Sequence, residues 1–244
     1  MPAIIEMKDV TFQAQNYLIV KNFSHSFEEG KTTVLVGPSG SGKSTVLKLC
    51  AGVLVPVSGT VSFRDKHIFD MNQNENRAFR RQGAMVFQDS ALWANQTLYQ
   101  NLELPLRIHF PKMDSRTREN RIHSVLKDVG YRRSLSIRPS QLSIGEQKMI
   151  AFARAMVCQP TLLFLDEWTE SLDDSGAQRL ISLVRRYQAE NNTIVLVSHD
   201  FRIVKNLADY ILMILEGQLF LKFTKEEILE DEELALYVEK GIAS

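Results

Sequence analysis

The sequence has little cysteine, no net charge and no long apolar run, and each lack narrows what the protein can be. Cys50 and Cys158 are the two cysteines among 244 residues, far apart and without metal-ligand spacing. That argues against a disulfide framework or a zinc cluster and fits a reducing compartment. Lysine plus arginine number 29, as do aspartate plus glutamate, so the formal charge is zero. A neutral total gives no general argument for nucleic acid, which favours a basic surface, although a local patch can hide within it. No run of roughly 18 apolar residues occurs, so no segment is expected to span a membrane. The opening, Met1-Pro2-Ala3-Ile4-Ile5-Glu6, lacks the basic-then-apolar order of a secretory signal. The expected setting is the cytosol. The length suffices for one large or two small domains with a sizeable core.

What is present centres on Gly37-Pro38-Ser39-Gly40-Ser41-Gly42-Lys43-Ser44-Thr45. An apolar run, Thr33 to Val36, precedes it and reads as a buried strand. Val46 to Ala51 follows and reads as a helix. Strand, glycine-rich loop, Lys-Ser and helix together form the phosphate-binding loop of nucleotide hydrolases. Glycines let backbone N–H groups curl around an anion, and the following helix points its positive dipole end at the same place. Lys43 is placed to reach the β- and γ-phosphates, and the Ser44 hydroxyl to ligand Mg²⁺.

Before the loop, Ile4-Ile5, Tyr17 to Val20 and Phe23 to Phe27 read as β-strands. After it, Thr60 to Phe63 and Ala84 to Phe87 are further strands, separated by a polar stretch, 64–82, expected as a surface loop with a short helix. Residues 97–104, 114–129 and 145–157 read as helices, so 89–157 looks like a helical insert. The α/β pattern resumes with strands 161–165 and 193–197, helices 174–190 and 201–208, and a hairpin flanking Glu216-Gly217. The acidic end reads as helical, with Leu229, Leu234 and Tyr237 as packing points.

Several residues carry chemistry. Leu162 to Leu165 is an apolar strand ending in Asp166-Glu167. Mg²⁺ takes oxygen ligands, which suits Asp166, and Glu167 is placed to polarise an attacking water. Thr193 to Val197 ends in Ser198-His199-Asp200, which puts His199 at the strand edge where such folds bind ligands. The histidines at 25, 67, 109 and 123 read as structural or solvated. Gln88 ends the strand before the helical insert, suited to sense metal or water. Leu142-Ser143-Ile144-Gly145-Glu146 opens a helix. Ser143 and Gly145 suit close approach of a second anion, and Ser143 with Glu146 also suits an ordinary capping box.

This set resembles the ATP-binding subunit of ABC transporters over nearly the whole chain. The phosphate loop, Gln88 in the Q-loop place, Leu142 to Glu146 in the signature place, Asp166-Glu167 as Walker B, Ser171-Leu172-Asp173 as D-loop and His199 as switch histidine occur in family order. The resemblance implies an α/β fold, a P-loop NTPase with a RecA-like core, an N-terminal antiparallel β subdomain and an inserted helical subdomain. One domain, 1–244, would comprise the core with its β subdomain at 1–88 and 158–223, the helical subdomain at 89–157 and a tail at 224–244. It implies a head-to-tail dimer with ATP between one chain's loop and the other's Ser143 and Gly145, with Tyr17 and Asp173 also among the nucleotide-binding residues. It further implies catalysis by Lys43, Gln88, Glu167 and His199, with Mg²⁺ held by Ser44, Gln88 and Asp166. Transmembrane permease subunits are the implied partners, nucleic acid is not, and the implied location is the inner face of the cell membrane.

Three departures stand out. Ile144 and Glu146 replace the signature's usual glycine and glutamine. Ala14 sits where an aromatic ring usually meets adenine, leaving Phe12 or Tyr17 to substitute. Trp168 follows Glu167 where proline is common, and is a candidate for the dimer interface. A finer resemblance, in Phe87 to Trp93, Thr97 to Leu102 and Leu104 to Arg107, is to the ATPases of Mla-type phospholipid transporters with Mce-domain partners. The apolar Leu92, Trp93, Leu98 and Leu102 suit either a groove for a membrane partner or core packing. Lipoprotein-release, other small-substrate transporters and non-transport ABC ATPases are the rival readings.

Overall fold

The computed structural model describes residues 2–231, 233, 235 and 236. Leu234 and Tyr237 lie outside the described residues. The chain begins with β1 (Ala3–Ala14), β2 (Tyr17–Glu28) and β3 (Thr32–Val36), then α1 (Lys43–Cys50), β4 (Ser58–Phe63) and β5 (Lys66–His67). Next come α2 (Gln73–Gln82), β6 (Gly83–Val86), α3 (Leu98–His109), α4 (Ser115–Val129) and α5 (Ile144–Met156). It continues with β7 (Leu162–Asp166), α6 (Asp174–Ala189), β8 (Thr193–Val197) and α7 (Phe201–Leu207). The described part ends with β9 (Tyr210–Leu215), β10 (Gln218–Thr224) and α8 (Lys225–Glu230).

Two sheets form. The smaller is antiparallel, in the order β2-β1-β4-β5. Its first hairpin turns on Gln15 and Asn16, both left-handed (φ 48 and 67), so Ala14 pairs with Tyr17. A two-residue turn of that kind matches the twist of antiparallel strands. The larger sheet runs β10-β9-β3-β8-β7-β6, with β6, β7, β8, β3 and β9 parallel and β10 antiparallel to β9.

The parallel strands are apolar on both faces, because both faces are covered. Val34, Val36, Leu163, Leu165, Ile194 and Leu196 point into the core shared with α3 to α6. Leu35, Leu162, Phe164, Val195 and Val197 point into the core shared with α1 and the small sheet. The helical block therefore has no core of its own: Leu98, Leu102, Ile122 and Ile150 belong to the same cluster as the sheet.

Local details differ from the expected pattern for physical reasons. Helix α3 continues through Pro105 to His109 rather than ending at 104. Proline inside a helix costs about 3 kcal/mol, but Leu98, Leu102 and Leu106 are spaced by four and all fully buried. That burial outweighs one lost backbone bond. Leu98 and Leu102 are thus core residues, while Trp93 stays 46% exposed. The polar stretch 64–82 contains β5, a 3-10 turn and α2, pinned by buried Ile68 and Phe79. In α8 it is Ile228, not Leu229, that is buried. Among the described residues no helix is long and apolar enough to cross a membrane.

One histidine of the small sheet feels the charge of a lysine in the larger one. His25 on β2 packs edge-on against Phe27 at 4.8 Å between ring centroids. Burial, helped by the charge of Lys222 on β10, pushes its pKa down to about 4. Between that value and an ordinary histidine pKa near 6.5 the unfolded chain binds a proton that the folded chain refuses, so stability falls as pH falls through this window. Denaturation midpoints measured from pH 7 to pH 4 should show His25→Gln losing about 1–2 kcal/mol less than the parent. Parallel curves for the two proteins would refute this.

Candidate functional site

The site is built at one edge of the parallel sheet. Strands β3, β6, β7 and β8 run the same way, so their C-terminal ends share that edge. The phosphate loop leaves β3 there, Gln88 follows β6, Asp166 ends β7 and His199 lies just beyond β8. Four segments distant in sequence meet because of strand polarity alone, as ligand sites in open α/β sheets do.

The loop itself needs glycine. Gly37 sits at φ 141, and a Cβ there would fall 2.2 Å from the Ile214 carbonyl oxygen of β9. Gly42 caps α1 in a left-handed conformation, φ 98, with no side-chain hydrogen bond to the helix. Among the described residues every other α-helix has a side-chain cap, from Asn72, Thr97, Asp114, Ser143, Asp173, Asp200 or Thr224. The first-turn N–H groups of α1 are thus left to an anion, and no acidic residue lies in that turn. Lys43 is buried and its ammonium donates to the Gly37 and Pro38 carbonyls, at 2.8 Å each. Burial lowers its pKa, against the opposing charges of Glu167 and Asp166.

Asp166 is completely buried. The Ser44 hydroxyl donates to its Oδ1 at 2.7 Å. Its Oδ2 has no hydrogen-bond partner, with the Lys48 ammonium at 3.9 Å. A buried carboxylate oxygen without a donor, beside a serine hydroxyl, is a hard oxygen set of the kind Mg²⁺ takes, so the residues present fit that ion.

Glu167 follows in a left-handed conformation, φ 43. Burial pushes its carboxyl above the usual range; contact with His199 opposes this, and the charges of Asp166 and Glu170 add to it. His199 Nε2 lies 3.1 Å from Glu167 Oε1. The contact falls short of hydrogen-bond geometry, since Oε1 has no well-directed donor. Gln88 turns its amide N–H toward Glu170 at 3.1 Å.

Trp168 is not at a surface. It is 1% exposed and stacks on Phe152 of α5, at 5.8 Å between centroids. The left-handed Glu167 precedes it, and the burial removes Trp168 from any interface.

The remaining expected residues lie elsewhere in a single chain. Ser143 caps α5 in a full capping box, accepting from the Glu146 N–H at 3.2 Å, and remains exposed beside Ile144. Glu146 is paired with Arg133 through two contacts of 2.9 and 3.0 Å. A Cβ on Gly145 would lie 3.0 Å from the Ser171 carbonyl. Asp173 caps α6 through the Gly176 N–H at 2.8 Å. Tyr17 stands 77% exposed at the tip of the first hairpin. Pro38, Ser39, Gly40, Ser41 and Thr45 lie along the loop and the start of α1. Sequence reasoning did not single out Lys48, Arg133, Lys148 or Glu170; a lysine or glutamate in an amphipathic segment carries no spacing signal.

A strand-edge phosphate loop, an uncapped helix and paired carboxylates define a P-loop nucleotide hydrolase. The family model described as ABC transporter matches residues 20–170. The chain belongs to the ABC transporter family as one of its ATP-binding subunits, ATPases whose turnover is coupled to transport. It is 33% identical over 236 residues to the intermembrane phospholipid transport system ATP-binding protein MlaF of Haemophilus influenzae, covering 95% of this chain and 88% of that one. It is 30% identical over 243 residues to the methionine import ATP-binding protein MetN of Chlamydia pneumoniae, covering 99% of this chain and 70% of that one. Its fold matches the dimeric ATP-binding cassette MJ0796, solved in a post-hydrolysis state bound to ADP and Pi, with a TM-score of 0.83 and 27% identity over 91% of this chain and 98% of that one.

Proposed function

We propose that the chain powers a phospholipid transporter of the Mla type, working as a head-to-tail dimer beneath membrane-spanning permease subunits with an Mce-domain protein. The observation that carries the catalytic part is the Ser44–Asp166–Glu167–His199 constellation at the end of the uncapped helix α1. The likeness to MlaF and the segment Phe87 to Arg107 support the substrate class.

Phosphoryl transfer is mostly positioning and charge stabilisation. The loop from Gly37 to Thr45 binds the phosphates, with Lys43 swinging from its own carbonyls to the β- and γ-phosphate oxygens. Ser44, Asp166 and Gln88 would hold Mg²⁺, whose charge offsets that of the phosphates. Glu167, its carboxyl pushed up by burial, takes the proton of the attacking water, and His199 contacts the γ-phosphate. Ser143, Gly145 and Asp173 of a second copy complete the site, and the exposure of Ser143 leaves it accessible to that copy.

Tyr17 is the residue for adenine. It lies two positions before Ile19 on β2, and a Cβ on Gly42 would come within 2.9 Å of the Ile19 carbonyl. The strand therefore runs beside the phosphate loop. Phe12 packs against the core instead.

The partner's seat is a cleft of about 550 Å³ between the sheet edge and the helical block, lined by Phe87, Ala91, Trp93 and Pro105 with Arg80 and Arg154 at its sides. Its occupant would be a cytoplasmic segment of the permease, placing the chain on the inner face of the cell membrane with no nucleic-acid role. The likeness to MetN favours one second reading, amino-acid import.

Three measurements test these points. Glu167→Gln should cut ATP turnover at least about 100-fold while leaving ATP affinity within a few fold; parental turnover would remove Glu167 as the base. Tyr17→Ala should weaken ATP binding about 5- to 100-fold, the worth of one stacked base, and unchanged affinity would return the adenine contact to another residue. Purification of the chain from membranes should bring an Mce-domain protein with it, and an amino-acid permease in its place would decide for import.

A further inference from the structure

Lys148 is a buried lysine that neither the phosphate loop nor the metal site uses. It lies on α5, five residues after Ser143, and is 2% exposed. Its ammonium donates to the main-chain carbonyl of Glu167 at 2.8 Å. The other main-chain bonds of Glu167 are longer: its N–H reaches the Val197 carbonyl at 3.3 Å, and its carbonyl accepts from the Glu170 N–H at 3.3 Å. Glu167 is also a non-glycine residue held at φ 43. A left-handed main chain at such a residue persists only when its surroundings over-determine it. The shortest bond on that carbonyl comes from Lys148.

The acidic side chains around the ammonium belong to Glu170, Glu167, Asp166 and Asp89. Gln88 donates to Glu170 at 3.1 Å, so the segment after β6 joins the same cluster. Burying an ammonium is unfavourable unless it is paired, and a whole buried ion pair can often be replaced by apolar chains of similar volume without loss of stability. Packing alone thus gives no reason for a lysine here.

We propose that Lys148 is a positioning residue for hydrolysis: it fixes the main chain of Glu167 so that the carboxylate stays at the water position. Through α5 it also ties Glu167 to Ser143, the group that meets the other chain's nucleotide. This rests on the reading of Glu167 as base and of Ser143 as a contact across the dimer. In the dimer each α5 then serves two nucleotides, touching one through its N-cap and governing the other through Lys148.

The test compares Lys148→Met and Lys148→Arg in the full chain purified with its associated membrane protein. Steady-state turnover, equilibrium ATP binding, thermal melting and amide exchange of residues 167–172 are read together. Lys148→Met should lower kcat about 10- to 100-fold, the scale of a small misplacement of a reacting group, with KM and ATP affinity within about threefold. Exchange across 167–172 should quicken several-fold without nucleotide, and the protein should stay folded at the assay temperature although its melting temperature falls, as it does when one partner leaves a buried charge cluster. Lys148→Arg, which keeps a donor for the carbonyl, should recover kcat to within about fivefold of the parent. Parental kcat or unchanged exchange in Lys148→Met overturns the proposal, as does a loss of ATP affinity matching the loss of rate. A folded Lys148→Arg as slow as Lys148→Met also overturns it. Parental turnover in Glu167→Gln would instead defeat the base assignment, while the exchange result would still report whether Lys148 holds this segment.

Discussion

The hydrogen bond from Ser44 to Asp166, 2.7 Å long, fastens the start of α1 to the end of β7. Asp166 has no exposure, so an ionised carboxylate there must be compensated within the protein. Ser44 supplies one donor, Lys48 stands at 3.9 Å, and Lys43 is close enough to feel the charge. One oxygen remains without a donor. The rest of the site follows from that arrangement: an oxygen set that fits the proposed Mg²⁺ lies beside the phosphate loop, and Glu167, one residue on, is left partly desolvated beside a second carboxylate.

The same constraint explains why the sheet is so apolar. A carboxylate pair at a strand end stays in place only if the strand cannot slide, and β7 is clamped by β6 and β8 in a continuous register from Leu162 to Asp166. Both faces of β7 are buried, in two different clusters. A slip of one residue would exchange the faces and move Asp166 away from Ser44. Core packing therefore serves as the alignment of the chemistry.

The departures from the family pattern have local compensations. Glu146 brings a negative charge close to Ser143, where an anion is proposed to approach, and Arg133 neutralises it through two short contacts. That pair is half exposed and adds little stability; its effect is on the sign of the local field. Ile144 is 65% exposed and leaves the α5 cap intact. Trp168 fills a core position against Phe152, a place that residue order alone did not reveal.

Much was legible because it is local. Gly37 to Thr45, the apolar strands ending in Asp166-Glu167 and His199, and Ser143 with Glu146 are short patterns whose spacing reflects loop geometry, strand burial and helix capping. What stayed hidden involves contacts between distant segments. Trp168 is buried rather than exposed because it stacks on Phe152 of α5. Leu106 joins Leu98 and Leu102 in the core because α3 runs through Pro105. Lys148 meets Glu167 because α5 packs into the same core as the parallel sheet. The sequence by itself determined which residues are candidates for the chemistry, since loop, strand-end and cap each need particular side chains at fixed spacing. Only the tertiary structure decided which of them meet, because parallel strand polarity and two-sided burial bring residues 44, 88, 166 and 199 to one edge, and no local pattern encodes that meeting.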